Sequence, residues 1–562
     1  MGISRRRFFR SVGALATAGA LGPGCRSLGQ VAAAGPSPDR PPNILCIVAD
    51  DMDRRYLGCY GGDFLTPHID SLAADGLRFE EAYCVSPACV PTRYAMLTGT
   101  YPGRCTHPMF TDSQPLGRPY RLAWNTPITA DTPTTARVLR EAGYFTGFAG
   151  KWHNWWDPAI DTARWPKLGR NDDPDDAGVD RKLREYQRCL VDGVKRTGGF
   201  EQAASVVNGN YAGVPKALVH HHFEWLAQGA LDLLDRAAAA GRPFYLQVAT
   251  TGVHGPDHAQ NLSRDPRYTY AGKLPEPPDC VPPRAGIRDR LERAGLPADS
   301  DHVGMVQNDD LVGALLGRLR DLGLERDTVV LFLPDHGVEP GKATCYQKGV
   351  HVATLMRWPG RVPQGGVCRE RVQFVDLLPT FADLAGADLP AGGRLDGVSF
   401  LPAALGRGGL GREVLYFEMG MSHAVLKGDY KYVAFRYGEE EVARMRGGEI
   451  DVALDNMGST NQLHSTIAIR YFPDYFDQDQ LYNVSGDPWE QRNLAADPAH
   501  AEVLRDMRAE LVGVLGTFRH PFSLAPCEYM DSPEFRSLAA KRTELAKAKR
   551  WWHDDFRWPD GA

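Results

Sequence analysis

Four short apolar runs in this chain are each followed by groups that hold charge or move protons. Asn43-Ile-Leu-Cys-Ile-Val-Ala49 runs into Asp50-Asp51, and Thr328 to Pro334 runs into Asp335-His336-Gly337. Tyr144 to Phe148 leads to Lys151-Trp152-His153, and Pro243 to Thr250 leads to His254. A single aspartate after a strand commonly caps a helix. Three aspartates sharing one crevice would repel one another unless a cation neutralised them, and an oxygen-rich set suits calcium or magnesium better than zinc.

Between the first two of these runs in sequence lies Cys89-Val90-Pro91-Thr92-Arg93. Pro91 suits the first turn of a helix, which sets Cys89 at a helix N-terminus, where unpaired N–H groups and the dipole favour an anion. Arg93 adds a positive charge within a turn. Taken alone, Cys89 reads either as a buried thiol or as an ordinary cysteine nucleophile whose pKa this field lowers.

The elements that must carry these residues alternate. Apolar strand-like runs are separated by segments of helical period, such as Thr66 to Gly76, Thr134 to Gly143 and Asp310 to Leu319. In the first, Thr66 stands as N-cap, Pro67 in the first turn and Gly76 just past the last turn. Such alternation predicts an α/β fold with a large, mostly parallel (mixed) sheet flanked by helices. In sheets of this kind ligands bind beyond the carboxyl ends of the strands, where the four runs deliver their polar groups. After about Arg407 the pattern turns to shorter, more polar strands, Glu413 to Glu418 and Tyr430 to Phe435, then a helix from about Ala501. The expected organisation is a leader over residues 1–34, a catalytic α/β domain over 43–407, and a smaller C-terminal α+β domain over 408–562 built on a short antiparallel sheet.

The composition, 43% hydrophobic and 24% charged, is globular, and a net charge of −6 over 562 residues leaves no basic surplus for nucleic acid. Ser4-Arg5-Arg6-Arg7-Phe8-Phe9 with the apolar stretch Ser11 to Leu21 matches a twin-arginine export signal, too short to span a membrane. Export to the periplasm or beyond follows, with lipid anchoring at Cys25 as a second reading. The eleven cysteines lack a CxxC pair; most read as small buried hydrophobes, with one or two disulfides open to an exported chain.

Together these residues resemble a type I sulfatase of the alkaline phosphatase superfamily, in which a cysteine followed by x-Pro-x-Arg is oxidised to Cα-formylglycine. The resemblance runs from about Asn43 to Pro498 and includes Thr66-Pro67-His68-Ile69-Asp70-Ser71-Leu72-Ala73, Leu97-Thr98-Gly99, Gly150-Lys151-Trp152-His153 and Leu481-Tyr482-Asn483. It implies hydrolysis of sulfate esters, most readily on a sulfated carbohydrate or small molecule, through a formylglycine hydrate made from Cys89 by a formylglycine-generating enzyme. It implies further that Asp50, Asp51, Asp335, His336 and the modified Cys89 hold calcium, with magnesium as the alternative; asparagine is common at the position of His336. Arg93 would steady the oxidised side chain, while Lys151, His153, His254 and Lys342 would bind sulfate and move protons. His254 is the first choice for protonating the leaving oxygen and Lys342 the second, and His153 would take a proton from the remaining hydroxyl. Thr92 stands where serine is more usual. Tyr346-Gln347-Lys348-Gly349-Val350-His351-Val352-Ala353 departs from the family's Tyr-Glu-x-Gly-x-Arg-Val-Pro.

Two rival readings remain: a phosphonate or phosphate ester hydrolase built on the same site, and a glycan-binding protein whose Cys89 is never modified. His220-His221-His222 reads as part of a solvated or partly packed helix over Lys216 to Leu234, not as a metal tract. Trp551-Trp552-His553 reads as a docking tail. Recognition beyond sulfate would come from loops at Arg104 to Arg121, Trp155 to Gly213 and Asp257 to Arg288.

Overall fold

The computed structural model describes residues 40–112, 121–154, 162–209, 213–390, 394–449, 462–519 and 522–548. The leader with Cys25, and Trp551-Trp552-His553, lie outside the described residues.

The first apolar run becomes β1 (Asn43–Asp50), buried at every position. Its side chains alternate, Ile44, Cys46 and Val48 entering one hydrophobic cluster and Leu45, Ile47 and Ala49 a second on the opposite face. Both faces are covered, so the strand reads as continuously apolar. Seven more strands complete the sheet: β2 (Leu77–Phe79), β3 (Phe145–Lys151), β4 (Gln202–Val207), β5 (Phe244–Val253), β6 (Thr328–Pro334), β7 (Leu355–Arg357) and β8 (Gly366–Cys368). Their order is β8-β2-β7-β6-β1-β5-β3-β4. β1 pairs in parallel with β5 and β6, and β3 with β4 and β5, whereas β7 runs antiparallel to β2 and β6. The sheet is therefore mixed but mostly parallel, as the alternation predicts.

One face packs on α1 (Pro67–Ala74), through Ile69 and Leu72, and the opposite face on α2 (Cys89–Thr98), α3 (Thr135–Glu141) and α4 (Ala177–Gly198). α5 (Phe223–Ala239) and α6 (Ser300–Asp321) join α1, while α7 (Leu377–Ala385) joins α2 and α3. The helix expected over Asp310 to Leu319 begins ten residues earlier, where the Asp299 carboxylate accepts the His302 N–H. α1 has the expected Thr66 as its N-cap, yet the Thr66 hydroxyl donates to Asp70, and the buried N–H of Ile69 is accepted instead by Asp309 of α6. Gly76 keeps a negative φ; it lacks a side chain because a Cβ there would lie 2.3 Å from the Met356 carbonyl oxygen.

Beyond Arg407 an antiparallel sheet forms in the order β9 (Val414–Met419), β10 (Ser422–Lys427), β11 (Tyr430–Phe435), β12 (Asp479–Asn483). α8 (Ala501–Leu515) packs on it, and a further helix, α9 (Pro533–Ala548), follows the one expected from Ala501. Val425, Tyr432 and Leu511 belong to the same hydrophobic cluster as Ile44 and Val48, so the small sheet and the large one share a core.

One expectation fails. His220, His221 and His222 are buried in the link ahead of α5, not on a solvated helix, because aromatic stacking and carbonyl partners replace water around them. The ten cysteines among the described residues are all free thiols, most of them packed as small apolar groups, as the sequence suggests.

Candidate active site

β6, β1, β5 and β3 are neighbours running the same way, so Asp335, Asp50 and Asp51, His254 and Lys151 all emerge at one sheet edge. α2 begins at Cys89, behind an extended Ala88 whose methyl cannot cap the helix. The N-terminal N–H groups are thus left for whatever anion forms at Cys89.

Cys89 Sγ lies 3.3 Å from His336 Nε2, 3.4 Å from Lys151 Nζ and 3.7 Å from Asp50 Oδ1. Ligand atoms of Asp51, Cys89 and His336, and of Asp50, Cys89 and Asp335, fall within 4.8 Å of one another. Lys151 Nζ donates to both Asp50 oxygens, at 2.9 and 2.7 Å. Lys342 Nζ donates to Asp51, and His254 Nε2 stands 3.6 Å from the same carboxylate. Arg93 donates to Asp335 (2.9 and 3.1 Å), to Asp50 (3.4 Å) and to the Lys151 carbonyl (2.8 Å), so it braces the aspartates around Cys89. His153 lines the same cluster, with its Nδ1 buried and without a hydrogen-bond partner among the described residues.

Electrostatics follow from this crowding. Burial alone would raise the Asp50 carboxyl, but Lys151, His254 and Arg93 outweigh it and hold the group well below the carboxylate range. Asp51 is lowered in the same way by Lys342 and His254 against its burial, while burial with Asp50 nearby raises Asp335. Burial opposes a charge on His336, yet Asp335 and Asp51 push it up to about 10. Its Nδ1–H bonds to the Gly337 carbonyl (2.8 Å), so the extra proton sits on Nε2, facing Asp51 and Cys89. A divalent cation among the same acceptors would displace that proton. Asp51 Oδ1 is buried and is met by His336 Nε2 at 3.2 Å without another hydrogen-bond partner among the described residues, so loss of that proton leaves it a valence for such an ion. The donor set therefore fits a hard cation.

Backbone strain gathers here. Asp51, His153 and Ala343 hold φ of 55°, 54° and 63°, unusual for residues with a Cβ. The Ala343 N–H donates to the Pro87 carbonyl (2.9 Å), tying the Lys342 loop to the chain just before α2.

All ten site residues singled out in the sequence thus meet at one edge. Sequence reasoning missed what holds them. The Thr92 hydroxyl donates to the Asp335 carbonyl (2.9 Å), and His258, four residues after His254, donates to the His254 carbonyl (3.1 Å). The His-x-x-x-His spacing was the available signal. In the departing segment, Lys348 pairs with Asp53, and His351 donates to the Glu80 carbonyl (2.7 Å) and stacks on Tyr83. A cavity of about 510 Å³ opens there between Arg54, Gln347, Lys348 and Trp489.

With this geometry in hand, the chain compares with known proteins as follows. A family model described as Sulfatase matches residues 42–387, and one described as N-sulphoglucosamine sulphohydrolase, C-terminal, matches 336–442. Arylsulfatase A of Homo sapiens is 31% identical, covering 86% of this chain and 89% of that protein. N-acetylgalactosamine-6-sulfatase of Canis lupus familiaris is 28% identical over 70% of this chain and 71% of its own length. A phosphonate monoester hydrolase of Agrobacterium radiobacter superposes with a TM-score of 0.53 at 17% identity, covering 84% of this chain and 95% of that one. A sulfatase from Pseudoalteromonas sp. gives 0.52 at 18%, with 86% and 92% covered. These two likenesses establish the fold.

Proposed function

Since the chain belongs to the sulfatase family, within the alkaline phosphatase superfamily, and is a sulfuric ester hydrolase, we propose that it acts on sulfated carbohydrates through Cys89 oxidised to formylglycine, beside a calcium or magnesium ion. The observation that carries this reading is the seat of Cys89 Sγ at the start of α2, within 4.8 Å of ligand atoms from Asp50, Asp51, Asp335 and His336.

Formylglycine would supply a hydrate as nucleophile and a second hydroxyl through which sulfate is released, and the cation would polarise that hydrate and offset charge on the sulfuryl oxygens. The chain's own side chains do the rest. Lys151 and Lys342, fixed on Asp50 and Asp51, present positive charge to the oxygens of the ester. His254 donates its Nδ1–H to the Gly255 carbonyl (2.8 Å), which turns Nε2 toward the site as the atom that protonates the leaving oxygen. Burial and then Lys342 press His254 down to about 4; an anionic ester bound beside it raises that value and favours the proton. Burial, with Lys151 and Arg93, holds His153 well below the imidazole range, so the ring is neutral and free to accept a proton during release.

The substrate class draws support from the relative named N-acetylgalactosamine-6-sulfatase and from the C-terminal N-sulphoglucosamine sulphohydrolase match. Export through the twin-arginine route, supported by Ser4 to Phe9, places such sugars within reach. No helix among the described residues is long and apolar enough to cross a membrane. The test is a peptide mass over Cys89, followed by a panel of sulfated mono- and oligosaccharides run beside phosphate diesters. An aldehyde mass with sulfate release upholds the proposal. An intact thiol, or turnover of phosphate diesters alone, overturns it.

A further inference from the structure

The loop that carries His254 leaves β5 at Val253 and enters a short helical turn, His258–Asn261. Two more imidazoles lie under it. His221 and His258 are fully buried and stacked, with ring centroids 3.7 Å apart and planes 9° from parallel. His221 Nε2 lies 2.8 Å from the Pro256 carbonyl oxygen and Nδ1 2.9 Å from the Thr251 hydroxyl. A carbonyl can only accept, so Nε2 carries the proton and Nδ1 accepts the Thr251 O–H. His258 Nε2 lies 3.1 Å from the His254 carbonyl oxygen and, by the same reasoning, donates to it.

His258 Nδ1 must then accept. It stands 3.0 Å from Gln307 Oε1, an acceptor in that orientation, while Gln307 Nε2 is buried without a hydrogen-bond partner among the described residues. With the amide turned so that its NH₂ faces Nδ1, a neutral His258 is satisfied at both nitrogens. The ring has no slack. A Cβ added to Gly252 would lie 2.9 Å from His258 Cε1, and one added to Gly304 would lie 3.0 Å from His258 Cδ2. His254 Nδ1 bonds to Gly255 within the same loop, so the aim of its Nε2 follows the loop backbone that the two imidazoles hold.

We propose that His258 and His221 are positioning residues for the proton donor: each gives an N–H to a carbonyl of the His254–Pro256 loop, and together they fix where His254 Nε2 stands. The inference rests on the reading above, in which His254 protonates the leaving oxygen. Proton donation matters most when the departing oxygen is basic, so a misplaced donor costs more on a poor leaving group than on a good one.

The experiment compares 4-nitrophenyl sulfate with phenyl sulfate in the mature enzyme carrying His258→Leu, His258→Gln or His254→Ala, each checked by thermal melting. His258→Leu is expected to lower kcat on phenyl sulfate by about 10- to 100-fold, on the scale of lost supporting hydrogen bonds around an active-site ligand. The loss on the nitrophenyl ester is expected to be several times smaller. His258→Gln, whose amide reaches the His254 carbonyl, restores most of it. If His258→Leu does not fold, His221→Leu reads the same prediction one carbonyl further along the loop. Equal losses on both esters, or failure of the glutamine to rescue, overturn the inference while His254→Ala still shows the graded loss. An ungraded loss in His254→Ala removes the donor role itself, and the inference falls with it.

Discussion

At the sheet edge that carries Cys89, three aspartates meet Lys151, Arg93, Lys342 and the imidazoles of His254 and His336. Between β11 and the turn after β12, one lysine, Lys431, meets one glutamate, Glu490, at 2.9 Å with neither side chain exposed. Both places bury charge, and both must repay the cost of taking it from water. The C-terminal pair does so one to one, with the second Glu490 oxygen accepting the Gln347 N–H (2.6 Å), and beyond that ion pair neither Lys431 Nζ nor Glu490 Oε1 makes a hydrogen bond among the described residues. At the site each partner is shared: Asp51 takes Lys342, His254 and His336, and Asp50 takes Lys151 and Arg93. A pair closed on itself serves the fold, while a shared network can re-sort its partners around a ligand; strained backbone occurs in both places, at Asp51, His153 and Ala343 and at Glu490.

The sharpest separation of the two regions comes from Cys89→Ala. The thiol makes only long contacts of 3.3 to 3.7 Å to its neighbours, so its removal should leave the melting temperature nearly unchanged. Turnover should fall by more than about 10⁴-fold, the scale on which losing a nucleophile acts. Sulfate release and calorimetry on the same sample read both halves. Substantial activity in this variant would break the comparison at its functional end.

Lys431→Met should do the reverse. Removing one partner strands the Glu490 carboxylate, whose burial already raises its pKa against the pull of Lys431, and should cost about 3–5 kcal/mol of unfolding free energy. kcat at temperatures below the transition should be unchanged. The double variant Lys431→Met with Glu490→Leu should recover much of that loss, because an apolar pair of similar volume needs no partner. Chemical denaturation measures all three chains. A double variant no better than the single one would mean that the pair is not closed.

Cation removal sharpens the site's half. With calcium at about 100 times its dissociation constant, the linkage between binding and folding gives about 2.7 kcal/mol. Lys431→Met should keep that increment in full, whereas Asp51→Asn should lose most of it. Melting with and without chelator decides this. An increment that survives in Asp51→Asn would take the ion away from the aspartates.

Much of this arrangement was legible in the chain because it is local. The apolar runs end where the strands end, within a few residues, and the polar groups that follow them converge because parallel neighbours share an edge. Cys89 starts α2 as Pro91 implies. What escaped depends on partners distant in sequence. Asp309, not Thr66, satisfies the start of α1 across 240 residues, and His221 meets Pro256 across 35. No periodicity encodes such pairs. The His220 to His222 run was misread for the same reason, since three adjacent imidazoles look solvated until the stack with His258 and the carbonyls that accept from them are seen.

Thr92 shows how small a difference the comparison can resolve. Its hydroxyl donates to the Asp335 carbonyl, one peptide away from the His336 ring, and its side chain is completely buried. Serine, the residue more usual at this position, keeps the donor and removes a methyl group. Thr92→Ser should therefore retain full kcat and lose about 1 kcal/mol of stability, the cost of one buried methyl and the space it leaves. Thr92→Val keeps the shape and removes the donor, which should cost about 1 kcal/mol as well. The two variants melt alike and part in activity, because only valine frees the Asp335–His336 peptide to shift relative to Cys89. Denaturant curves beside kcat and KM distinguish them. If valine and serine prove equal in kcat, the hydroxyl belongs with Lys431 and Glu490 among the groups that only hold the fold together.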